Sequence, residues 1–444
     1  MSVGKKYHYW ISSGQYTGIQ KLVTLLAGII SFMMLARILG PSGFGVWGLF
    51  LTISAIIETA RTALVKNAFI RFSGQLEERE SDAGLQGGAF LLSLVISLCW
   101  AVVLVSAAAV ISHLLNAPEL KSMLLWYAGT ILISVFFTHF EILMNAKMNF
   151  KALCWMFCVR QGTLLLLIFV FFTTGTTITT RALSIIYLVS VIAGSVAGFA
   201  FARSVIQFHW AEGKRRLPEL LGYGKYVFGN NMSSLLFRST DSFLTSNVFG
   251  PAIAAFYNAS LRISNLVDMP SQVLGDVLFP KAAKISKGDH AAVRNSYEKT
   301  VGATLIFSIP ALLVLLLFPG PILTIIAGPE FIEATPILRI TAFFGFTLPF
   351  IKQFGTIMDA TGLPDVNFKV MFFAFCLNVI TNLAGIYYFG FLGAALGTAL
   401  TYFILLIVTQ QILYSRYGIR WTAVFRNTWN LYRELAGSAK LLWK

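Results

Sequence analysis

Gly87 to Ser112 reads GGAFLLSLVISLCWAVVLVSAAAVIS, 26 residues without one Asp, Glu, Lys or Arg. A membrane-spanning helix needs about 20 predominantly apolar residues, so this stretch is long enough to cross a bilayer unaided. The pattern recurs along the chain. Of 444 residues, 57% are hydrophobic and 12% charged, and the mean hydropathy is +0.74; a soluble domain carries roughly 25% charged residues. No soluble core of this size can bury that much apolar surface, and hydrocarbon supplies the missing solvent.

Apolar runs punctuated by Gly, Pro and charge place spans near 17–38, 44–66, 87–112, 121–142, 152–172 and 183–205, then 223–248, 253–279, 300–318, 334–357, 368–389 and 392–414. The expected fold class is therefore all-α and polytopic, with about twelve transmembrane helices. Basic residues set the orientation. With the N-terminus inside, one set of connections holds Lys5, Lys6, Lys66, Arg71, Arg79, Lys147, Lys151, Arg203, Lys214, Arg215, Arg216 and Lys225. The same set continues with Lys281, Lys284, Lys287, Arg294, Lys299, Lys352, Lys369 and six more in the C-terminal tail. The opposite set holds Arg37, Lys121 and Arg181. Both termini are expected in the cytoplasm.

The net charge of +15 does not point to nucleic acid, because the Lys and Arg lie between apolar runs and form no basic face. Cys99, Cys154, Cys158 and Cys376 all fall inside the runs; Cys154 and Cys158 are one turn apart but lack a second ligand pair for zinc, so free buried thiols are expected and no metal site. Met1 to Tyr16 carries no cleavage-type signal, and the first span is expected to be retained.

The second half repeats the first at an offset of 210 residues: Leu39-Gly40-Pro41 answers Phe249-Gly250-Pro251, Val46-Trp47 answers Phe256-Tyr257, Phe69 answers Phe279 and Arg71 answers Lys281. Asn149-Phe150-Lys151 matches Asn367-Phe368-Lys369 beyond an indel of about eight residues. Six spans per unit make this a parallel repeat, with a pseudo-twofold axis along the membrane normal. The expected organisation is an N-terminal six-helix bundle over 1–208, a basic cytoplasmic linker over 209–222, a C-terminal six-helix bundle over 223–414 and a tail over 415–444. In the tail, Trp421, Val424, Phe425, Thr428, Trp429, Tyr432 and Leu435 share one helical arc opposite Arg426, Asn427, Asn430, Arg433 and Glu434. A basic amphipathic helix in the inner headgroup layer is expected there.

A charge at the centre of a lone span costs roughly 2.5–3.5 kcal/mol on insertion scales, so ionisable residues within spans mark a polar cavity or a partner. Arg238 and Asp241 sit mid-span in the seventh helix, Arg262 lies within the eighth, Glu58 and Arg61 occupy the second, and Arg160 the fifth. Arginines in a cavity suit an anionic cargo, above all phosphate, because guanidinium stays charged and pairs bidentately with its oxygens. Repeat symmetry sets Arg61 and Arg262 in equivalent helices, with the expectation that they face one another. Against this, Glu58 with Arg61 and Arg238 with Asp241 are spaced to neutralise each other on one helix face, and Arg160 can equally orient a helix. Glu58, Asp241, Asp268 and Asp359 are candidates for a coupling Na⁺ or H⁺, or simply balance the arginines. There is no Walker A motif, no HExxH, no Cys/His cluster and no long outer loop, so no catalytic residue and no cofactor is assigned.

Four motifs spread over the chain carry a family likeness: Ala36-Arg37-Ile38-Leu39-Gly40-Pro41-Ser42-Gly43-Phe44-Gly45, Val277-Leu278-Phe279-Pro280-Lys281, Gly328-Pro329-Glu330-Phe331 with Ala334-Thr335-Pro336-Ile337-Leu338-Arg339, and Gly390-Phe391-Leu392-Gly393-Ala394-Ala395. In their order and spacing the sequence resembles the Wzx-type flippases, the polysaccharide transporter branch of the multidrug, oligosaccharidyl-lipid and polysaccharide exporter superfamily. The resemblance implies two six-helix bundles in a V-shaped exporter fold. It implies alternating access for an undecaprenyl-pyrophosphate-linked oligosaccharide in a bacterial inner membrane, beside a polysaccharide polymerase and glycosyltransferases. Arg37 stands where the family often has a basic residue, although its place at an outer span end also fits a topological role. The alternatives are a multidrug cation antiporter of the same superfamily, which would want a cavity of carboxylates and aromatics, a membrane glycan polymerase or ligase, which would need an outer catalytic loop, and an assembly scaffold.

Overall fold

In the computed structural model the apolar runs are helices, and the described residues form fourteen α-helices, one 3-10 helix and no strand. The structure describes residues 3–73, 83–176, 178–268 and 289–442, together with 270–272, 274, 275, 278, 282 and 285. Outside them fall Arg79, Lys281, Lys284 and Lys287 of the basic set, Phe279 and Lys281 of the repeat, and Val277, Phe279, Pro280 and Lys281 of the second family motif.

Met1–Met232 with Ser246–Ala252 make one compact unit, and Ser233–Thr245 with Ile253–Lys444 make another. The first unit holds α1 (Val3–Ser73), α2 (Ala83–Leu114), α3 (Pro118–Ala146), α4 (Phe150–Thr174) and α5 (Thr180–Ala202), followed by the start of α6 (Trp210–Phe249). Its core runs through Phe69, Phe137, Leu143, Leu153 and Leu220. The second unit continues with α7 (Pro251–Leu266), α8 (His290–Leu317), the short α9 (Pro319–Ile326), the 3-10 helix Pro329–Ala334, α10 (Thr335–Gly345), α11 (Leu348–Ala360), α12 (Pro364–Phe389), α13 (Phe391–Tyr417) and α14 (Trp421–Leu442). Tyr297, Val301, Phe354, Ile357 and Leu405 form its core. The outward faces are apolar as well: Val102, Leu166, Phe343 and Ile380 are all exposed. Water would not tolerate so much exposed apolar surface; lipid does.

Eight helices among the described residues are long and apolar enough to cross a membrane. A ninth comes from the bent pair Pro329–Gly345 and Leu348–Ala360, whose helices meet at 44°. The expected tenth span is therefore not one straight helix; Pro349 at the start of α11 has no N–H to continue the ladder, and the chain breaks before it. The first two expected spans are merged in α1 and divided at Gly40, where φ is 62° and ψ −179°. The expected seventh and eighth spans correspond to α6 and α7: the first carries Arg238 and Asp241, and the second has only 16 residues.

Gly250, the repeat partner of Gly40, has φ 83° and ψ 174°. Only glycine adopts that region readily, and each is followed by a proline, Pro41 or Pro251, opening the next helix. The second repeat pair is not equivalent in role. Asn149 caps α4, accepting from the Ala152 N–H at 3.1 Å, whereas Asn367 lies inside α12 and donates to Asp359.

Two segments differ from their reading in sequence. Residues 210–222, read as a linker, are the first turns of α6, with Leu217 and Leu220 set into the core of the first unit. The tail helix α14 packs on protein: Thr428 donates to the Gly302 carbonyl at 3.3 Å and Tyr432 to the Ile306 carbonyl at 2.8 Å. Both steps advance four residues in the same sense, so α14 runs parallel to α8. Its apolar arc is divided between Val424 and Thr428, which are buried, and Trp421, Phe425 and Trp429, which are exposed. The four cysteines are free, but only Cys154 is buried; Cys99 and Cys376 face outward from their helices.

Candidate functional site

Each unit holds a polar cluster inside its apolar helices. In the first, the three-residue spacing of Glu58 and Arg61 on α1 brings them together as helical geometry requires. The Arg61 Nη2 donates to Glu58 Oε1 and Oε2, both at 2.6 Å, and to the Thr138 hydroxyl of α3 at 2.7 Å. Arg61 is fully buried, while the Glu58 side chain keeps 32% of its surface exposed. Among the described residues the Nε and Nη1 of Arg61 have no hydrogen-bond partner. Buried donors left unmade cost about 1–3 kcal/mol each and more on a charged group, so this guanidinium is under-satisfied by its own protein.

Around it stand Lys66 of α1 paired with Glu141 of α3 at 2.6 Å, and Arg160 of α4 donating to the Tyr187 hydroxyl of α5 at 3.1 Å. The Arg160 guanidinium also lies 4.8 Å from the Phe137 ring centre, a cation–π contact. Trp47, Phe50, Tyr127 and Tyr187 pack edge-to-face and stacked beside these groups. Three cations, Arg61, Lys66 and Arg160, thus meet two carboxylates, Glu58 and Glu141, leaving an excess of one positive charge. Arg37 is exposed on α1.

In the second unit the cluster sets one carboxylate among neutral polar side chains. Asp241 of α6 is buried, and its Oδ1 accepts from Asn382 of α12 at 2.7 Å and from Thr398 of α13 at 2.6 Å. Asn378, one turn before Asn382, donates to the Thr398 hydroxyl at 2.8 Å. Glycines bring the two helices close enough for this: a methyl group on Gly393 would come within 1.9 Å of the Gly385 carbonyl oxygen, and one on Gly397 within 2.5 Å of the Thr381 carbonyl oxygen. Among the described residues no Lys or Arg forms an ion pair with Asp241. The expected pairing of Arg238 with Asp241 is not made; Arg238 is exposed on α6, and Arg262 is exposed on α7.

The remaining carboxylates are separate. Asp268 pairs with Lys352 of α11, and among the described residues its Oδ1 has no partner. Asp359 accepts from the Asn367 side chain at 3.0 and 3.1 Å. Of the four coupling-ion candidates, Asp241 alone is buried among neutral oxygen-bearing side chains. No group of three or more His, Cys, Asp or Glu able to hold a metal ion occurs among the described residues.

A family model described as polysaccharide biosynthesis protein matches residues 34–336. The chain belongs to this family. Among relatives, the lipopolysaccharide biosynthesis protein WzxC of Escherichia coli is 22% identical over 92% of this chain and 83% of its own length. The probable low-salt glycan biosynthesis flippase Agl15 of Haloferax volcanii is 23% identical over 87% of this chain and 79% of its own. An uncharacterized membrane protein of Methanocaldococcus jannaschii, MJ1068, is 28% identical over 44% of this chain and 39% of that protein. Among solved structures, the lipid II flippase MurJ in an inward closed conformation superposes with a TM-score of 0.77 at 15% identity, covering 93% of this chain and 90% of MurJ. An inward-facing MATE family transporter of the MOP superfamily gives 0.74 at 14% identity, over 91% and 98%. The family member described here therefore has the exporter fold that these two share.

Sequence reasoning missed Thr138, Tyr187, Asn378, Asn382 and Thr398, because neutral polar residues in apolar runs carry no charge penalty to flag them. A signal was nonetheless present: Asn378 and Asn382 are one turn apart, so two amides share one face of an otherwise apolar helix.

Proposed function

We propose that this member of the family is a flippase that carries a lipid-linked oligosaccharide from the inner to the outer leaflet, the lipid being undecaprenyl pyrophosphate, by alternating access. One observation carries the reading: a fully buried Arg61 with two unpartnered nitrogens, in a cluster holding one more cation than carboxylates. Such a guanidinium gains most from an anion that brings its own oxygens, and a pyrophosphate offers them in the bidentate geometry that arginine fits. Exposed Arg37, Arg238 and Arg262 are assigned to the same cargo along its path, and Arg160 to holding the aromatic wall. The relatives named as a lipopolysaccharide biosynthesis protein, a glycan flippase and a putative O-antigen transporter support a glycan cargo.

The second cluster is assigned to coupling. Asp241, with the side-chain oxygens of Asn378, Asn382 and Thr398, offers a monovalent cation one negative charge and neutral oxygens; Na⁺ or H⁺ binding there would drive the cycle. The protein would sit in a bacterial inner membrane with both termini cytoplasmic, receiving cargo from glycosyltransferases and passing it to a polysaccharide polymerase. The shared fold with a MATE family transporter keeps a cation antiporter as the second reading.

Reconstitution in vesicles separates the two. With a fluorescent undecaprenyl-pyrophosphate oligosaccharide, the wild type should deliver probe to the outer leaflet and Arg61→Ala should not, while neither moves a cationic dye. Dye transport with no lipid flipping would establish the antiporter instead.

A further inference from the structure

At the end of α13 the chain turns sharply. Gly418 takes the left-handed conformation at φ 67°, its N–H bonds to the Tyr414 carbonyl at 2.9 Å, and Ile419 is fully buried. The Gln410 side chain then donates to the Ile419 carbonyl at 2.8 Å, fixing the corner between α13 and α14. Outside this corner lies an open cleft of about 510 Å³, lined by Ile407, Gln411, Tyr414, Arg420 and Trp421. Ligand sites commonly run from about 300 to 1,000 Å³.

The cleft has two ends of opposite character. At one, Arg420 of the lining lies 6.0 Å from the centre of the Tyr414 ring; Arg294 of α8 stands outside the lining, beside the adjoining Gly418, 3.6 Å from where a methyl there would be. Arg416 is exposed beside them, its carbonyl bonded to His290. Among the described residues the Glu298 carboxylate accepts from the Arg420 backbone N–H at 3.5 Å, one acid against the three arginines. At the other end, Phe403 and Ile407 continue the exposed face of Tyr414 along α13. Ile407 is seven residues from Tyr414, about 10 Å along the helix at 1.5 Å per residue, toward the middle of an apolar span. Trp421, Phe425 and Trp429 form an exposed aromatic stripe on α14, and Arg433 lies 5.5 Å over the Trp429 ring. Trp and Tyr with Arg at the end of a span are the side chains that settle at a headgroup layer.

We infer that this corner of the second unit binds one anionic phospholipid, its phosphate head on Arg420 and Arg294 beside Tyr414 and Trp421, and an acyl chain along Ile407 and Phe403. Charge complementarity selects the occupant: a cationic pocket opening onto an apolar track fits a molecule with a negative head and a hydrocarbon tail. A free phosphate would leave the track empty, and a zwitterionic lipid would leave the arginine excess unanswered. The assignment does not depend on the cargo of the transporter. It gives the tail helix a role, anchoring the second unit to the leaflet on the side of the C-terminus.

Native mass spectrometry of the full chain, released from micelles holding equal phosphatidylglycerol and phosphatidylcholine, tests it. The wild type should retain one phosphatidylglycerol in preference to phosphatidylcholine. Each basic residue near an anionic surface contributes about 1 kcal/mol, or roughly fivefold, so Arg420→Ala should lower retention about fivefold, Arg420→Lys should keep most of it, and Lys151→Ala in the first unit should leave it unchanged. Arg420 is exposed, and gel filtration checks that the variant folds; Arg294→Ala supplies the same reading if it does not. Equal retention of both lipids, no loss in either arginine variant, displacement by millimolar inorganic phosphate, or stronger retention of an added isoprenyl phosphate would each overturn the phospholipid assignment. None of these outcomes bears on flipping.

Discussion

The two units solve the same problem, a carboxylate within apolar helices, in opposite ways. In the first, Glu58 is answered by the guanidinium of Arg61, and further cations accumulate around the pair until positive charge is in excess. In the second, among the described residues Asp241 is answered by amide and hydroxyl groups alone, Asn382 and Thr398, and Arg238 and Arg262 are exposed elsewhere. Duplication explains the common frame, since Gly40 and Gly250 turn the chain in the same Gly-specific conformation. It does not explain the chemistry. Under the proposed function the first cluster would hold an anion and the second a cation, a division suited to a carrier whose cargo and driving ion have opposite charge.

The largest expected effect is at Arg61. Removing one partner of a buried pair typically costs about 3–5 kcal/mol, and because Glu58 keeps part of its surface in contact with solvent, Arg61→Ala should fall at the low end of that range. The thermal midpoint in detergent reads it. Adding Glu58→Gln should recover part of the loss, because no carboxylate is then left unanswered; a double variant no better than the single one would break the account of this cluster.

Next come the two glycine turns. A side chain at Gly40 or Gly250 is forced into a conformation costing about 1–3 kcal/mol, so Gly40→Ala and Gly250→Ala should each destabilise by that amount and by similar amounts. Unequal losses would show that the repeat no longer shares its strain, sharpening the contrast between the units.

The smallest effect on stability is expected at Asp241. Asn at this position keeps an acceptor for Asn382 and Thr398 and removes a charge that no cation among the described residues answers, so Asp241→Asn should cost about 1 kcal/mol, less than Arg61→Ala. A ligand that binds only the folded state raises its stability with concentration; the wild-type midpoint should therefore climb with Na⁺ or with acidity, and the variant's should not. A loss as large as that of Arg61→Ala, with ion dependence intact, would erase the distinction drawn between the clusters.

Much of this was legible in advance, and the residues show why. Gly40-Pro41 and Gly250-Pro251 announced the repeat because a backbone conformation open only to glycine leaves its mark on one position of the chain. Glu58 and Arg61 announced their pairing because three residues is a fixed distance on a helix. Arg238 and Asp241 have the same spacing and do not pair: Asp241 lies between α12 and α13, where Asn382 and Thr398 reach it first. The tail helix was legible as amphipathic but not in its use, since an arc of Val424, Thr428 and Trp429 gives no sign that α8 takes the first two and leaves the indole outside.

Composition and periodicity alone determined that the chain is helical, that it lives in a membrane and which of its residues are costly to bury, because those properties are local or additive along the sequence. The tertiary structure decided which costly groups answer each other. Partners such as Arg61 with Thr138, or Asp241 with Thr398, are 77 and 157 residues apart, and only the close packing of one helix on another brings their polar atoms within reach.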